Sequence, residues 1–292
     1  MTIFDLIGRT PIVELVHIPK NKNVKIFGKL EGMNPGGSVK DRAAFGMIKG
    51  ALDRGEIKRG DRLVEATSGN TGIALAMIAR SMGVEMTLVM PDNATRERVL
   101  SMEAYGAKVL LTPAEKTIEY SRELAESMAE NDGYHILNQF ANPDNYRMHY
   151  RTTGPEIWND THGKITHFVS AMGTTGTIMG VSRYLKEKNP DIQIVGCQPT
   201  EGSNIPGIRR WSPEFLPKIF EPERVDRIVD VSAENATTMA RRLGKEESIL
   251  SGMSSGGAFY GAMRIAEELK SGVIVFIVCD IGDRYLSSDL FG

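Results

Sequence analysis

Four short stretches carry residue types that could do chemistry, and one lysine is the most reactive group among them. Residues 34–42 read NPGGSVKDR. Pro35, Gly36 and Gly37 spell a tight turn, and Ser38 followed three residues on by Asp41 is the pattern of a capping box, so a helix is expected to start there. Ala43, Ala44, Met47, Ile48, Ala51 and Leu52 then recur at the spacing of one helical face, which puts Lys40 in the first turn. The amide ends of a first turn carry partial positive charge and disfavour an ammonium, and the neutral amine is a nucleophile. On this stretch alone, Lys40 and Arg42 read as side chains reaching into solvent. The other motifs give the lysine company.

Three loops precede helix-like runs, the first two of them directly after a strand-like one. TSGNTG, residues 67–72, offers the hydroxyls and amide of Thr67, Ser68, Asn70 and Thr71 together with the free amide groups of a helix start, a good match to an anion. A Ser/Asn-rich helix cap would account for one or two of those residues and not for the run. GTTGT, residues 173–177, combines Gly173 and Gly176, which let a backbone approach closely, with the hydroxyls of Thr174, Thr175 and Thr177. That suits a phosphate dianion, while the GxxxxGK[ST] and GxGxxG patterns of ATP and dinucleotide loops are missing. In SGMSSGG, residues 251–257, Ser254 and Ser255 read as helix caps, and no histidine stands near to activate either serine, which argues against a hydrolase triad.

The elements that must position these loops follow from alternation. Strands are expected over 24–30, 61–66, 84–90, 108–111, 165–170, 192–197, 227–231 and 273–278. Helices are expected after Lys40, over 71–82, 95–105, 115–130, near Tyr150, and over 178–188, 235–243 and 255–270. Such alternation points to parallel strands with helical crossovers, and 292 residues suffice for two doubly wound units. The segment QFANPDN, residues 139–145, breaks the pattern. The expected division is a smaller, mobile unit over 34–145 and a larger unit made of 1–33 and 146–292.

Composition narrows the class further. The chain is 41% hydrophobic and 25% charged with a formal net charge of -2, an ordinary globular balance with no basic footprint for nucleic acid or a membrane surface. The N-terminus lacks a basic region followed by an apolar run, and no uninterrupted apolar stretch of roughly 18 residues occurs, so a cytoplasmic protein acting on a small molecule is expected. Cys197 and Cys279 are expected to be reduced and buried. His17, His135, His149, His162 and His167 have no ligand spacing, and no metal is expected.

A first-turn lysine, a phosphate cradle and two hydroxyl-rich loops without a metal suggest a cofactor that brings its own reactivity, and pyridoxal 5'-phosphate fits: a lysine holds it as an imine and a cradle holds its phosphate. PGGSVKDR, TSGNTG, QFANPDN, GTTGT and SGMSSGG, in this order and at these distances, resemble the fold-type II pyridoxal-phosphate enzymes, a tryptophan synthase beta-like fold with the cofactor in the cleft between two α/β domains. Among these the chain is similar to the cysteine synthase (O-acetylserine sulfhydrylase) family, from GRTP at Gly8 to CDIGDRYLS near the C-terminus. GTTGT in place of GTGGT, EGSNIPGIRRW at 201–211 and the closing CDIGDRYLS resemble the B-type branch.

The resemblance implies that Lys40 forms the internal aldimine and moves protons at the substrate α-carbon. Asn70 would hydrogen-bond the ring hydroxyl, residues 173–177 would hold the phosphate, and Ser254 would face the pyridine nitrogen. Thr67, Ser68, Asn70, Thr71 and Gln139 would bind the amino-acid carboxylate. It implies β-replacement on O-acetyl-L-serine through an aminoacrylate, with sulfide as donor, in a homodimer. Arg209 and Arg210 suit a larger divalent oxyanion such as thiosulfate, which would give S-sulfocysteine. The rival readings are a serine or threonine dehydratase, a cystathionine β-synthase-like enzyme, and a non-catalytic binder of a phosphate ligand. A chain ending at Gly292 has no room for the regulatory domain of many cystathionine β-synthases, and no haem-ligand pair stands in its N-terminal leader.

Overall fold

The computed structural model describes residues 1–292. Its elements run β1 (Ile12–Glu14), β2 (Val24–Leu30), α1 (Lys40–Asp53), β3 (Arg62–Ala66), α2 (Asn70–Met82), β4 (Glu85–Pro91), α3 (Arg96–Ala104), β5 (Lys108–Thr112) and α4 (Thr117–Asn131). There follow α5 (Pro143–Arg151), α6 (Thr153–Asp160), β6 (His167–Ala171), α7 (Gly176–Lys188), β7 (Gln193–Pro199), β8 (Arg227–Val231), α8 (Ala233–Glu247), α9 (Met253–Glu268) and β9 (Gly272–Val278). Six strands form one sheet in the order β1-β2-β9-β6-β7-β8 and three form another in the order β3-β4-β5. Every neighbouring pair is parallel except β1 with β2.

The architecture is α/β, as the alternation implies. Parallel strands are covered on both faces, which is why β9 reads as the uninterrupted apolar run GVIVFIV. On the larger sheet one face packs Ile26 and Phe276 against α8 and α9, where Phe259 meets them, and the other packs Phe168, Ile194 and Val275 against α7. The smaller sheet buries Leu63, Met86 and Leu88 against α1 and α2, with Val64 and Val89 beneath α4. No helix is long and apolar enough to cross a membrane.

Two departures from the sequence reading have local causes. The three-residue β1 is too short to show a period. The helix expected near Tyr150 is two helices, broken where the Thr152 hydroxyl turns back onto the Met148 carbonyl at 2.6 Å and where Pro155 has no amide to continue the ladder. The preceding segment, read as a breaker, starts α5: the Asn142 side chain accepts from the Asp144 amide and Pro143 takes the first helical position.

A buried ionic cluster anchors the start of α1. Arg42, expected in solvent, is wholly buried and bonds both oxygens of Glu31 and both of Glu156 at 2.7 Å. Lys29 adds an ion pair to Glu156 at 2.8 Å. Burial alone would raise Glu31, but the Arg42 charge and its hydrogen bonds override that and hold the carboxyl down at about 2. The capping box is absent as well. Helix α1 begins at Lys40, the Ser38 hydroxyl accepts from the Lys40 amide at 3.2 Å, and the Asp41 carboxylate reaches back to the Gly36 amide. The reason lies in the backbone of Ser38, which is held in an antiparallel bridge with Asp280, with the Val39 amide on the Cys279 carbonyl at 2.8 Å and the Ile281 amide on the Gly37 carbonyl at 3.1 Å.

Candidate active site

The carboxyl ends of β3, β6, β7 and β9 open onto one cleft of about 1040 Å³, and the reactive motifs converge on it, those of residues 67–72 and 173–177 directly from such ends. The chain leaving β2 leads to Lys40. The loop after β3 holds Thr67 and Ser68, and Asn70 and Thr71 open α2. The loop after β6 holds Gly173 and Thr174, with Thr177 in the first turn of α7, while β7 leads to Arg209 and Arg210. Ser254 stands in the first turn of α9, and Gln139 lies on the segment before α5. All of these line the same cleft. Thr175 and Gly176 are set back from its lining, in the bend that joins Thr174 to Thr177.

That bend is built to hold an anion. Thr175 is in the left-handed region at φ 70°, and its buried hydroxyl has no partner. The amides of Thr175, Thr177 and Ile178 have no backbone partner either, as expected at a helix start. The wall allows nothing larger than glycine at position 173, where a Cβ would stand 2.6 Å from the Gly207 carbonyl oxygen. Two other hydroxyls of the motif are engaged: Thr174 accepts from Asn145 Nδ2 at 3.1 Å, and Thr177 meets His149 Nε2 at 3.3 Å. Unpaired amides, an orphaned hydroxyl and the positive end of a helix match the phosphate of a pyridoxal cofactor.

Across the cleft the 67–71 loop leaves the amides of Ser68, Asn70 and Thr71 without backbone partners. The Thr71 hydroxyl donates to Gln139 Oε1 at 2.9 Å, which fixes that carboxamide and leaves its nitrogen free. Lys40 is half-buried and lines the same cleft as these two anion-binding loops.

Several contributors escape a reading of motifs. Asn145 ties the Gln139 carbonyl, at 2.8 Å, to the GTTGT turn, and only its place in QFANPDN marked it. His149 backs the same turn; burial, and after it the Arg42 charge, push its ring down to about 3, so it stands there neutral. Trp211 donates to the Gly173 carbonyl at 2.9 Å and the Arg209 amide to the Met172 carbonyl at 2.9 Å, which stitches the arginine loop to the cradle. Arg98, Arg122 and Tyr285 also line the cleft, and nothing in their own neighbourhoods in the sequence signals it. Cys197 is buried, but Cys279, expected to be, is part-exposed on the cleft wall, where burial raises its thiol to about 11. Of the paired arginines, Arg210 is engaged by the Pro199 carbonyl at 2.8 Å and by Asp230 at 2.5 Å, whereas Arg209 has no carboxylate partner and packs over Trp211.

Comparison with known proteins agrees with this geometry. The profile of the family described as pyridoxal-phosphate dependent enzyme matches residues 3–280. Cysteine synthase B of Pseudomonas aeruginosa is 56% identical over 290 residues, covering 99% of this chain and 97% of the relative. Cysteine synthase B of Escherichia coli is 54% identical over 291 residues, covering 100% and 96%. Among solved structures, a cysteine synthase from Entamoeba histolytica superposes with a TM-score of 0.93 at 39% identity, covering 99% of this chain and 90% of that one. An O-ureido-L-serine synthase does so with a TM-score of 0.93 at 37% identity, covering 99% and 94%. The chain belongs to the family of pyridoxal-phosphate dependent enzymes and, within it, to the cysteine synthases.

Proposed function

We propose that this chain catalyses β-replacement on O-acetyl-L-serine, acetate leaving and sulfide taking its place to give cysteine, with thiosulfate as a second donor giving S-sulfocysteine. The observation that carries the reading is that Lys40 lines the same cleft as two sets of free amides, those of Ser68, Asn70 and Thr71 and those at the start of α7. When bound, pyridoxal phosphate supplies the electron sink that lets a leaving group depart from the β-carbon of an amino acid. The chain's own residues do the rest. Thr175, Thr177 and the amides around them hold the phosphate with Gly173, Thr174 and Gly176, and Asn70 donates to the ring hydroxyl. Thr67, Ser68, Asn70, Thr71 and Gln139 hold the substrate carboxylate, and Lys40 binds the cofactor and then carries the proton at the α-carbon. Ser254, a neutral hydroxyl only 6% exposed, faces the ring nitrogen without enforcing a proton there, which disfavours a long-lived carbanion and favours loss of the β-substituent.

The relatives' names support sulfur transfer to an activated serine, and the cations lining the cleft mouth support an anionic donor. The family resemblance further supports a homodimer working in the cytoplasm, which light scattering and cell fractionation test. The deciding experiment is spectroscopic. The purified protein is expected to show an absorption band near the visible that borohydride abolishes. Lys40→Ala is expected to lack that band and all turnover while keeping the circular dichroism of the parent. A Lys40→Ala protein that still made cysteine at a comparable rate would remove the lysine from the mechanism.

A further inference from the structure

The carboxylate of Asp280 is 1% exposed, just past β9, in a segment that serves only as a family marker in the sequence. It accepts from three donors: Asn70 Nδ2 at 2.7 Å, the Tyr285 hydroxyl at 2.5 Å and the Gly252 amide at 3.1 Å. Four residues on, Arg284 donates through Nη1 to Asn70 Oδ1 at 2.6 Å and through Nη2 to the Gly36 carbonyl. Asn70 is therefore gripped at both ends of its carboxamide by groups of opposite character. A guanidinium has no acceptor, so the atom facing Arg284 must be the oxygen, and an acceptor such as the Asp280 carboxylate then faces the nitrogen. Of the two hydrogens on that nitrogen, Asp280 takes one. The other is unclaimed by the protein, on a residue that lines the cleft.

We infer that Asp280 and Arg284 are positioning residues that fix the orientation of the Asn70 carboxamide, so that it presents a hydrogen-bond donor, and never its oxygen, to the ring oxygen of the bound cofactor. The inference rests on the assignment of Asn70 to that oxygen made above. The physical benefit is preorganisation. A free carboxamide has two orientations, one of which would set its oxygen against an electron-rich ring oxygen, and the Asp280–Arg284 pair removes that choice before the cofactor arrives. The same pair touches the loops that carry the neighbouring site residues. Arg284 holds the turn before Lys40 at Gly36, and Asp280 holds the cap of α9, two residues before Ser254.

The test is a double-mutant cycle read by cofactor binding and not by turnover. Apoproteins of the parent, Asp280→Asn, Asn70→Ala and the double variant are titrated with pyridoxal phosphate while the position of the absorption band is followed. Asparagine at 280 cannot accept from all three donors and sets a donor among them. Each single variant is expected to weaken cofactor binding about tenfold, the size of one charge-assisted hydrogen bond, and to move the band in the same direction. The double variant is expected to be no weaker than Asn70→Ala alone, because Asp280 acts through Asn70. A double variant about a hundredfold weaker, the product of the singles, overturns the inference, since Asp280 would then act through the α9 cap or the fold. If Asn70→Ala leaves both affinity and band unchanged, the assignment of Asn70 to the cofactor fails, and this inference falls with it. Should Asp280→Asn not fold, Arg284→Lys, whose single ammonium cannot reproduce the two-acceptor fork, completes the same cycle from the oxygen side, with additivity again the overturning result.

Discussion

Arg209 and Arg210 share a loop and differ in what holds them, and that difference decides which can select a sulfur donor. Arg210 is tied to Asp230 and to the Pro199 carbonyl, a partly exposed ion pair of the kind that contributes little. Arg209 has no such partner; burial, and after it the nearby Arg122 charge, push its pKa down, a cost that a bound divalent anion would relieve. Arg209→Ala is accordingly expected to lower turnover with thiosulfate about ten- to a hundredfold relative to sulfide, and Arg210→Ala to change the two donors alike. The measured quantity is the ratio of the two turnovers, and an unchanged ratio in Arg209→Ala would leave the donor unselected by this loop. Glu65 allows a second prediction, on stability. Burial raises it from 4.5 to about 7, so the unfolded chain releases this proton at lower pH than the folded one, and ionising the group costs stability as pH rises between those values. Glu65→Gln should therefore stabilise the protein at pH 8 by on the order of 2 kcal/mol and hardly at all at pH 4. Denaturant titrations at the two pH values check it, and an equal gain at both would show that the charge is not the cause.

At the scale of elements, the start of α7 depends on a side chain from another helix. A Cβ at Gly176 would overlap the Asn145 carboxamide, which bridges Thr174 and the Gln139 carbonyl from the first turn of α5. Gly176→Ala should displace that bridge and weaken pyridoxal phosphate about tenfold or more while leaving helical content unchanged. Gly69 is the control, because a Cβ there meets nothing within 4 Å and Gly69→Ala should leave cofactor binding intact. Equal losses from the two substitutions would mean that the effect of Gly176→Ala does not come from displacing the Asn145 bridge. The contrast also shows what a sequence can and cannot reveal. Strand-to-helix junctions, and hence the loops after β3 and β6, follow from apolar period and Gly/Ser/Thr punctuation, which are local. Asn145, His149, Trp211 and Asp280 act through partners 28 to 210 residues away, and nothing local distinguishes them from ordinary polar residues. The Ser38–Asp41 pattern misled for the same reason, since a bridge to Asp280 claims the backbone that the cap would have used.

At the scale of the whole molecule, the cleft separates two sheets whose cores are distinct, and the side chains that would grip a substrate sit on both sides of it. Helix α1 shares a core with α2, yet its first turn is locked to the larger sheet's surroundings by Arg42 with Glu31 and Glu156, and to β9 through the Ser38–Asp280 bridge. Breaking so buried a cluster would cost about 3 to 5 kcal/mol, more than a substrate carboxylate readily supplies. We therefore expect the motion to be carried within the 34–145 unit by β3 to β5 with α2 to α4, sliding over α1, which stays in place. The polar contacts between these elements and the larger unit that such a slide must respect are few, chiefly Asn70 with Asp280 and Arg284. We expect an amino acid that takes the free amides of Ser68, Asn70 and Thr71 and reaches Lys40 to gain contacts in the closed form, which would shift the population toward it. Nitroxides on Ser127→Cys in α4 and Lys188→Cys in α7, placed in a Cys279→Ser background, are expected to approach by more than about 2 Å when an unreactive amino acid binds the loaded protein. A pair across α1 and α7, Lys49→Cys with Lys188→Cys, is expected not to move. If both distances shorten together, α1 travels with the smaller sheet and the ionic cluster at Arg42 does not anchor it. If neither changes, substrate binding does not close the cleft.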